Sequence, residues 1–519
     1  EDGYFPIQHK RHETTQQSRW YIKRQVGFLQ SKEKHQDLIQ ESEGVFKLEK
    51  MSIEAESEKQ QDAQAVPWEE DAANPQNWSN FKKCVNLGIV SLLAFITPLE
   101  SSIIVPGVPL LRDDFHETRR PVTSLVVSIY VLGFAFGPVI LSPLSELYGR
   151  RILFNISNVA TLAFTIASAA APNIASFIVF RFIGGSFGAG PMNIGGGSIA
   201  DQIPLARRGF VMSIFFTGIF LGPVIGPVIG GFIAKAIGWR WVFWIMAILK
   251  GVISILTFFF LSESHHPAIQ KNMAKKGLRP SDEISEEQKP HFKTVLLRSL
   301  TRPMRMLFGS PIVAGLSLYL ALIYGYLYLL FTTFSTVFPE QYGFGIDILG
   351  LAFLGMGVGC VLALVLLSWM SDWVQDKLTK KHGGTKPEYR LLPIVLGIPL
   401  LPIGLFVYGW TAQYKTHWIV PIIFTGFTGA GLIFSFLPTQ IYMIDAFTTY
   451  AASALAATSV VRSIVGGCLP IAGLPLYQAL GYGWGNSLLG FIAIFVSIGP
   501  LLFWRYGEAL RKKYDVKFD

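Results

Sequence analysis

Apolar runs of about 20 residues recur along most of this chain, and each is bounded by charged residues, proline or glycine. A transmembrane helix needs about 20 consecutive apolar residues to cross the roughly 30 Å hydrocarbon core of a bilayer. The pattern therefore predicts twelve membrane-spanning helices, near residues 84–106, 121–143, 152–171, 174–199, 209–235, 240–261, 311–338, 347–370, 391–411, 417–440, 447–476 and 486–505.

The composition indicates that lipid, not water, solvates most of the chain. Hydrophobic residues make up 51% of the 519 residues and charged residues only 15%, whereas soluble domains carry about 25% charge. Soluble enzymes, nucleic-acid binders and secreted disulfide scaffolds are therefore excluded. The sequence holds no catalytic constellation, no metal-ligand spacing and no Walker motif, so we expect neither enzyme activity, nor a cofactor, nor a metal.

Lysine and arginine concentrate in both terminal segments and in the loops that follow even-numbered spans. Because cytoplasmic loops carry the excess of basic residues, we predict that both termini are cytoplasmic. The polar residues 1–82 are predicted to form a disordered tail, in which residues 1–50 are either an extension ahead of a start at Met51 or the end of a truncated tail. Residues 506–519 form the predicted C-terminal tail.

The longest connection between spans, residues 262–310, is polar and separates six spans from six. It is interpreted as a cytoplasmic linker between a six-helix bundle over 83–261 and another over 311–505. An all-α membrane protein with two pseudo-symmetric six-helix bundles is the architecture of a transporter that rocks around a central site.

A serine followed four residues later by an acid recurs at the same point of each half. It is Ser142 and Glu146 after the second span, and Ser368 and Asp372 after the eighth. This repetition supports a duplicated origin for the two halves.

The run LSPLSELYGRR at 141–151 reverses the chain between two helices, and Gly149 permits a tight turn there. Glu146, Arg150 and Arg151, with Asp372 in the second half, can form an ion-pair latch that closes in one conformation and opens in another. The alternative is that the arginines only anchor the loop on the inner side and Glu146 caps a helix.

Arg181 lies well inside the fourth span, where an arginine must face protein or a water-filled cavity and find a partner. Glu100 is the only carboxylate well inside the first span. At 1.5 Å per residue, Glu100 lies roughly 10 Å and Arg181 roughly 12 Å below the outer ends of their helices. We therefore predict that they face each other and that protonation of Glu100 weakens the pair. The alternative is a static ion pair that fixes helix packing.

The fifth span contains GIFLGPVIGPVIGG, in which two Gly-Pro pairs are four residues apart. Proline kinks a helix and glycine lets a neighbouring helix approach closely, so this face can seal a leak pathway while the helices rock. Ordinary enrichment of glycine and proline in membrane helices is the alternative. The motif residues are Gly222, Pro223, Gly226, Pro227 and Gly230.

Tyr324, Tyr328 and Phe331 follow each other at i, i+4 and i+7 in the seventh span, which places them on one helical stripe. An aromatic stripe suits a cavity for amphipathic or planar substrates, while helix packing explains it equally well. Asn193 and Gln440 are further polar candidates for the cavity.

Three other polar residues have less certain roles. Asp201 ends the fourth span near Arg207 and Arg208, and is interpreted as a local loop partner. Asp445 is expected to cap a cytoplasmic helix end. Arg462, inside the eleventh span, needs a partner that the sequence does not identify.

These motifs together resemble the major facilitator superfamily, and specifically its fungal twelve-span drug:proton antiporter branch. The resemblance covers about residues 75–510 and rests on NPQNWS (74–79), PLSELYGRR (143–151), RF…GGGSIAD (181–201), GPVIGPVIGG (222–231), GWRWVFW (238–244) and YAASALAATSVVRS (450–463).

The resemblance implies alternating access, proton-driven export and monomeric function. It implies that the 141–151 run acts as a conformational latch, that Arg181 takes part in proton transfer, and that the Gly-Pro motif marks an antiporter. The sequence departs from the family pattern at Ser142 and Glu146, where glycine and aspartate are usual, and at Glu100, where an uncharged residue is common.

The leading hypothesis is a proton-coupled antiporter that exports small organic molecules such as drugs, polyamines, secondary metabolites or organic acids from the cytoplasm across the plasma membrane. Its partners would be the small-molecule substrate, protons and the lipid bilayer, with no nucleic acid. One alternative is a facilitator or proton symporter that takes up a nutrient such as a sugar or polyamine, although the Gly-Pro motif favours export. Another is a transporter-shaped nutrient sensor, which usually needs long tails with recognisable modules.

Overall fold

The structure is a computed structural model that describes residues 68–275, 292–382, 386–447 and 450–514. The expectations for residues 1–67, including the extension over 1–50, lie outside these described residues. The described chain forms helices α1 (Asn80–Ser102), α2 (Val108–Asp114), α3 (Arg120–Gly133), α4 (Gly137–Tyr148), α5 (Arg150–Ala169), α6 (Ile174–Gln202), α7 (Leu205–Ile237), α8 (Trp239–Phe260), α9 (His266–Lys275), α10 (Phe292–Gly309), α11 (Pro311–Tyr342), α12 (Ile346–Leu349), α13 (Phe353–His382), α14 (Ile394–Gln413), α15 (Ile419–Ala446) and α16 (Ala451–Lys513). Short 3₁₀ turns occur at Pro75–Asn77, Val105–Gly107, Gly350–Ala352 and Pro387–Leu391.

The predicted fold class is confirmed, because the described elements are helices and 11 helical segments are long and apolar enough to cross a membrane. The last of these, Ser453–Lys513, has 61 residues. At 1.5 Å per residue it is about 90 Å long, which is enough for two crossings of a roughly 30 Å core. It bends at Gly481, whose φ of 72° lies in the left-handed region that glycine favours. Counting it as two crossings gives the twelve predicted spans.

Ordered structure begins earlier than the predicted tail boundary at residue 82. The Asn74 side chain caps the 3₁₀ turn by accepting from the Gln76 amide at 3.0 Å. Ser79 caps α1 by accepting from the Lys82 amide at 3.4 Å. These caps satisfy amide groups that a helix start leaves without partners, so the region is structured.

The linker over 262–310 contains helical structure on both sides of residues 276–291, which lie outside the described residues. α9 follows the sixth span, and α10 leads into the seventh. Part of the predicted C-terminal tail is also helical, since α16 continues to Lys513.

The second predicted span is broken into α3 and α4 around residues 134–136. Glycines at both sides of the break lie against α6: a side chain at Gly133 would be 2.5 Å from the Phe182 carbonyl oxygen. The same holds at Gly137, where an added Cβ would meet the backbone at Ser186. Close backbone contact, which only glycine permits, therefore fixes the second span against the fourth.

The Gly-Pro motif of α7 packs against α1. An added Cβ would lie 2.7 Å from the Phe95 carbonyl oxygen at Gly222 and 2.6 Å from the Ser102 Oγ at Gly226, and at Gly230 it would collide with the Ile103 carbonyl. Three glycines at a spacing of four therefore form one face against one neighbour, as the spacing predicts. Pro223 and Pro227 lie inside this helix, and Pro223 lines the pocket described below.

Candidate transport site

The carboxylate of Glu100 lies at the centre of a buried polar cluster in the first six spans. It accepts hydrogen bonds from the Tyr130 hydroxyl at 2.7 Å and the Thr165 hydroxyl at 2.6 Å, and it forms an ion pair with Lys250. The Glu100 side chain is 2% exposed and the Lys250 side chain 3%. Two charges removed from water this far are stable only when paired and hydrogen-bonded, and this cluster provides both.

Arg181 lies beside Glu100, as their matched depths predict, but the contact differs from the predicted one. The guanidinium donates to the backbone carbonyls of Glu100 at 2.9 Å and Ser101 at 3.0 Å, and it lies 4.3 Å from the centre of the Tyr130 ring. The carboxylate of Glu100 therefore pairs with Lys250, and Arg181 binds the peptide backbone of the same turn. The reason is geometric, because the carboxylate points toward α5 and α8.

Lys250 is the residue that sequence reasoning missed. It lies eleven residues into α8, about 16 Å along the helix axis, and a lysine at that depth is rare unless it is paired or functional. A single lysine inside the sixth span therefore indicates a buried, paired charge as strongly as Arg181 does in the fourth.

A hydrogen bond joins this cluster to the last six spans. The hydroxyl groups of Ser101 and Tyr328 lie 3.0 Å apart, and the Ser101 carbonyl is one of the two that accept from Arg181. The Tyr328 ring packs edge-on against Tyr324 at 5.1 Å and Phe331 at 5.6 Å between ring centres. The first span thus contacts the aromatic stripe of the seventh through one serine.

A pocket of about 410 Å³, counting the space that opens to solvent, lies between the two halves of the chain. α7 of the first half and α11, α13 and α15 of the second half supply its walls. They are mainly apolar and aromatic: Phe220, Pro223, Val224, Ile323, Tyr324, Leu327, Phe331, Cys360, Leu432, Ile433 and Phe436.

Two of the five predicted cavity residues, Tyr324 and Phe331, line this pocket. Tyr328 is fully buried and lies behind them. Asn193 donates to the carbonyl of Ala189 in its own helix at 2.7 Å, and Gln440 is buried with its Oε1 lacking a partner among the described residues. Neither amide is among the residues that line the pocket: Asn193 is in α6, which supplies none of them, and Gln440 lies one turn beyond Phe436 on the same face of α15.

Arg462, whose partner the sequence left open, lies at the edge of the pocket. Its guanidinium carbon is 4.9 Å from the centre of the Tyr324 ring and 5.0 Å from that of Phe436. Its Nη2 donates to the Ser459 hydroxyl of the same helix at 3.1 Å. Within the described part of the chain, no carboxylate forms an ion pair with it.

The turn between α4 and α5 has the conformation that the motif predicts. Gly149 has a φ of 96°, in the region that favours glycine, and an added Cβ would be 2.5 Å from the Glu263 carboxylate. Glu263 accepts from the backbone amides of Arg150 at 2.9 Å and Arg151 at 3.0 Å. The linker thus supplies the acid that caps the N-terminus of α5.

The predicted ion pair of Glu146 is absent from this conformation. Glu146 is exposed and has no hydrogen bond or ion pair within the described ranges, while Arg150 pairs with Asp201 at 3.4 Å and donates to the Ser145 hydroxyl at 2.7 Å. Asp201 therefore pairs with Arg150, which is farther along the chain than Arg207 and Arg208, the local partners that we expected. The reason is that α6 brings Asp201 to the start of α5, whereas Glu146 points away from it.

The other latch residues take separate positions. The Arg151 guanidinium donates to the Phe258 carbonyl at 2.8 Å. The side chain of Asp372 lies outside the described residues, so the latch in the second half stays a prediction. Asp445 pairs with Arg390 at 3.3 Å near the end of α15.

His265 lies beside this cluster, and its backbone amide donates to Glu263 at 2.8 Å. Burial, together with the positive charge of Arg150, lowers the pKa of His265 to about 4. The imidazole is therefore neutral near pH 7 and adds no charge next to Arg150.

Helical segments for twelve crossings, and a pocket whose walls come from both halves of the chain, are the arrangement of a membrane transporter. Residues 90–471 match the Major Facilitator Superfamily model. The chain therefore belongs to the major facilitator superfamily, as its motifs predict.

Fungal transporters resemble the chain over nearly its whole length. The MFS-type transporter penM of Penicillium rubens is 46% identical over 480 residues, which cover 90% of this chain and 94% of that protein. The MFS transporter cpaT of Aspergillus oryzae is 45% identical over 89% of this chain and 95% of its own. The efflux pump radE of Floropilus chiversii is 42% identical over 89% and 87%.

Solved structures share the fold. A D-xylose-proton symporter superimposes with a TM-score of 0.62 over 81% of this chain and 97% of its own, at 18% identity. The partially occluded inward-open xylose transporter XylE of E. coli gives a TM-score of 0.59 over 81% and 98%, also at 18% identity. At such identity the likeness concerns the fold alone.

Proposed function

We propose that the protein is a proton-coupled antiporter that exports small organic molecules by alternating access. The observation that carries the proposal is the hydrogen bond between Ser101 and Tyr328, 3.0 Å long. It connects a buried cluster of titratable groups to the aromatic wall of the pocket. A change of protonation in the cluster can therefore reach the residues around a substrate.

The charges of the cluster suggest which proton moves. Glu100 carries one negative charge, and Lys250 and Arg181 carry one positive charge each. Loss of a proton from Lys250 leaves a carboxylate and a guanidinium, which is a neutral set. Gain of a proton by Glu100 leaves two buried cations with no anion, which is unfavourable.

We therefore place the transported proton between Glu100 and Lys250 and give Arg181 the role of neutralising Glu100 after its release. This revises the expectation that Glu100 alone is titrated beside Arg181. A proton that enters the cytoplasm across an inside-negative potential supplies about 2.3 kcal/mol per 100 mV, which can drive a substrate outward.

The pocket walls support an amphipathic or planar substrate over a sugar. Its walls hold two polar side chains, Tyr324 and Cys360, among eleven residues, and a sugar needs many hydrogen bonds when it leaves water. The relative named as an efflux pump and the Gly-Pro motif also support export. We propose that the protein acts as a monomer in the plasma membrane and that both of its termini are cytoplasmic. We also propose that one six-helix bundle spans 83–261, another spans 311–505, and residues 262–310 link them.

The test is export from a host that lacks its own efflux pumps. Cells loaded with labelled spermidine, tetraphenylphosphonium, fluconazole or citrate are followed with and without a protonophore. Export of at least one compound that a protonophore abolishes is the expected result. Export that a protonophore leaves unchanged would contradict proton coupling.

Two variants locate the coupling. Glu100→Gln should abolish protonophore-sensitive export per molecule of protein in the membrane, a measure that corrects for the lower stability expected of this variant. Asp113→Asn is the matched control, because Asp113 is an exposed carboxylate in α2 with 69% of its side chain accessible. Equal losses in both variants would remove Glu100 from the proposal.

A further inference from the structure

Arg462 lies about half-way along the eleventh span, and no carboxylate among the described residues forms an ion pair with it. It is eleven residues into α16, about 16 Å from the start of that helix. The described residues place aromatic rings and one serine hydroxyl around it, and its Nε has no acceptor among them. An arginine at this depth carries a high cost unless it binds a partner.

Arg181, the other arginine deep in the spans, provides an internal comparison. Both terminal nitrogens of Arg181 donate to backbone carbonyls, and a carboxylate lies in the same turn that it binds. Of the Arg462 nitrogens, only Nη2 has an acceptor within the described ranges, a serine three residues earlier in the same helix. The Nε of each arginine lacks an acceptor among the described residues, so the difference lies in the terminal nitrogens: both of those of Arg181 are bound, whereas Arg462 keeps one able to bind a further group.

The rings beside Arg462 are walls of the pocket. Tyr324 and Phe436 both contact its guanidinium and both line the cavity. Phe220 of α7 packs edge-on against Phe436 at 5.2 Å, so the wall continues into the first half of the chain. A molecule in the pocket would thus lie among aromatic rings with a cation at its edge.

The buried charges of this region sum to a positive value. Lys250, Arg181 and Arg462 carry three positive charges, and Glu100 is the one carboxylate that the described residues place among them. A cationic substrate would enter a region that already holds excess positive charge. An anion would reduce that excess.

We propose that the pocket binds organic anions, with a planar or aromatic body against Tyr324 and Phe436 and a carboxylate or similar delocalised anion on the Arg462 guanidinium. The planar fork of an arginine matches a carboxylate with two parallel hydrogen bonds. The inference names the substrate class of the proposed exporter and so depends on that function. Outward movement of an anion is also favoured by a membrane potential that is negative inside.

The test compares binding of 2-naphthoate and 2-naphthamide, which share a ring system and differ in charge. Full-length protein in detergent is titrated by calorimetry with no proton gradient. Wild type should bind the acid at least tenfold more tightly than the amide. Arg462→Gln should lose that preference and keep its affinity for the amide, and Arg462→Lys should retain part of it.

The control variant is Arg112→Gln, which removes an exposed positive charge in α2 and should leave the preference unchanged. Equal affinity of wild type for acid and amide would overturn the inference, as would an Arg462→Gln protein that still prefers the acid. Should Arg462→Gln fail to fold, the wild-type comparison decides alone. Because this binding is an equilibrium without a gradient, a protein that binds the acid but exports without proton dependence would refute the proposed coupling and not the substrate class.

Discussion

The hydroxyl groups of Ser101 and Tyr328 lie 3.0 Å apart, although 227 residues separate them in the chain. Both side chains are buried. On one side, the Ser101 carbonyl binds Arg181, and on the other, the Tyr328 ring supports the pocket wall at Phe331. Under the proposed function, this contact is a direct route by which protonation in the first half can affect a substrate between the halves.

Tyr328→Phe should weaken that route while it leaves the ring in place. A buried hydrogen bond contributes about 0.5–1.5 kcal/mol, so proton-driven transport should fall by up to roughly tenfold. Initial rates in proteoliposomes with an imposed pH gradient measure the effect. Tyr326→Phe is the matched control, because the Tyr326 hydroxyl donates to the Leu489 carbonyl within the second half. Equal losses would mean that the Tyr328 hydroxyl has no special role.

Removing either member of the Glu100–Lys250 pair should destabilise the protein strongly. A buried ion pair that loses one partner leaves an unpaired charge, at a cost of about 3–5 kcal/mol. Glu100→Gln should cost more than Lys250→Met, because Arg181 still accompanies Glu100 in the second variant. The double variant should be more stable than Glu100→Gln alone.

Thermal unfolding of the detergent-purified variants measures these differences. A double variant whose loss equals the sum of the two single losses would show that the residues are energetically independent. That result would contradict the pairing.

Gly226→Ala should destabilise the contact between α7 and α1, because the new Cβ would lie 2.6–2.7 Å from α1 atoms. Overpacking of this kind costs about 1–3 kcal/mol. Gly251→Ala in α8 is the control, since nothing lies within 4 Å of an added Cβ there, and alanine favours a helix by about 1 kcal/mol over glycine. The two melting temperatures should therefore shift in opposite directions.

Asp201→Asn should slow transport by about fivefold. The substitution removes the charge that pairs with Arg150, and this changes the free-energy difference between two conformations of the transporter by about 1 kcal/mol. Glu146→Gln should have a smaller effect, since Glu146 is exposed and unpaired within the described residues. Transport rates measured at equal protein density in the membrane show which of the two variants loses more activity. A larger loss in Glu146→Gln would mean that Glu146 forms its ion pair in the other conformation.

His265 should make stability depend on pH between about 6.5 and 4. The pKa of His265 is lowered to about 4 in the folded protein, mainly by burial, from 6.5 in an exposed imidazole. Between these values the unfolded chain binds more protons, so the free energy of unfolding decreases as the pH falls. The total loss is roughly 1–3 kcal/mol, and it levels off below pH 4.

His265→Gln removes this titration. The difference in melting temperature between wild type and variant should therefore change between pH 6.5 and 4 and stay constant above 7. A difference in melting temperature that is constant over the whole pH range would exclude His265 as the source of the pH dependence.

Hydrophobic runs, turn residues and isolated charges determined much of this protein from the sequence alone. Span number and fold class follow from apolar length, which is a local property. The turn at Gly149, the shared face of Gly222, Gly226 and Gly230, and the approach of Arg181 to Glu100 follow from spacing and depth along single helices. The family follows from the same motifs.

The tertiary structure decided which groups meet across helices. It paired Glu100 with Lys250 and Arg150 with Asp201, and it placed Arg462 at the edge of the pocket. The helical period fixes which residues share a face, but not the rotation and tilt that turn this face toward a given neighbour. Those angles result from packing among all the helices, so partner choice between distant segments becomes visible only in the folded chain.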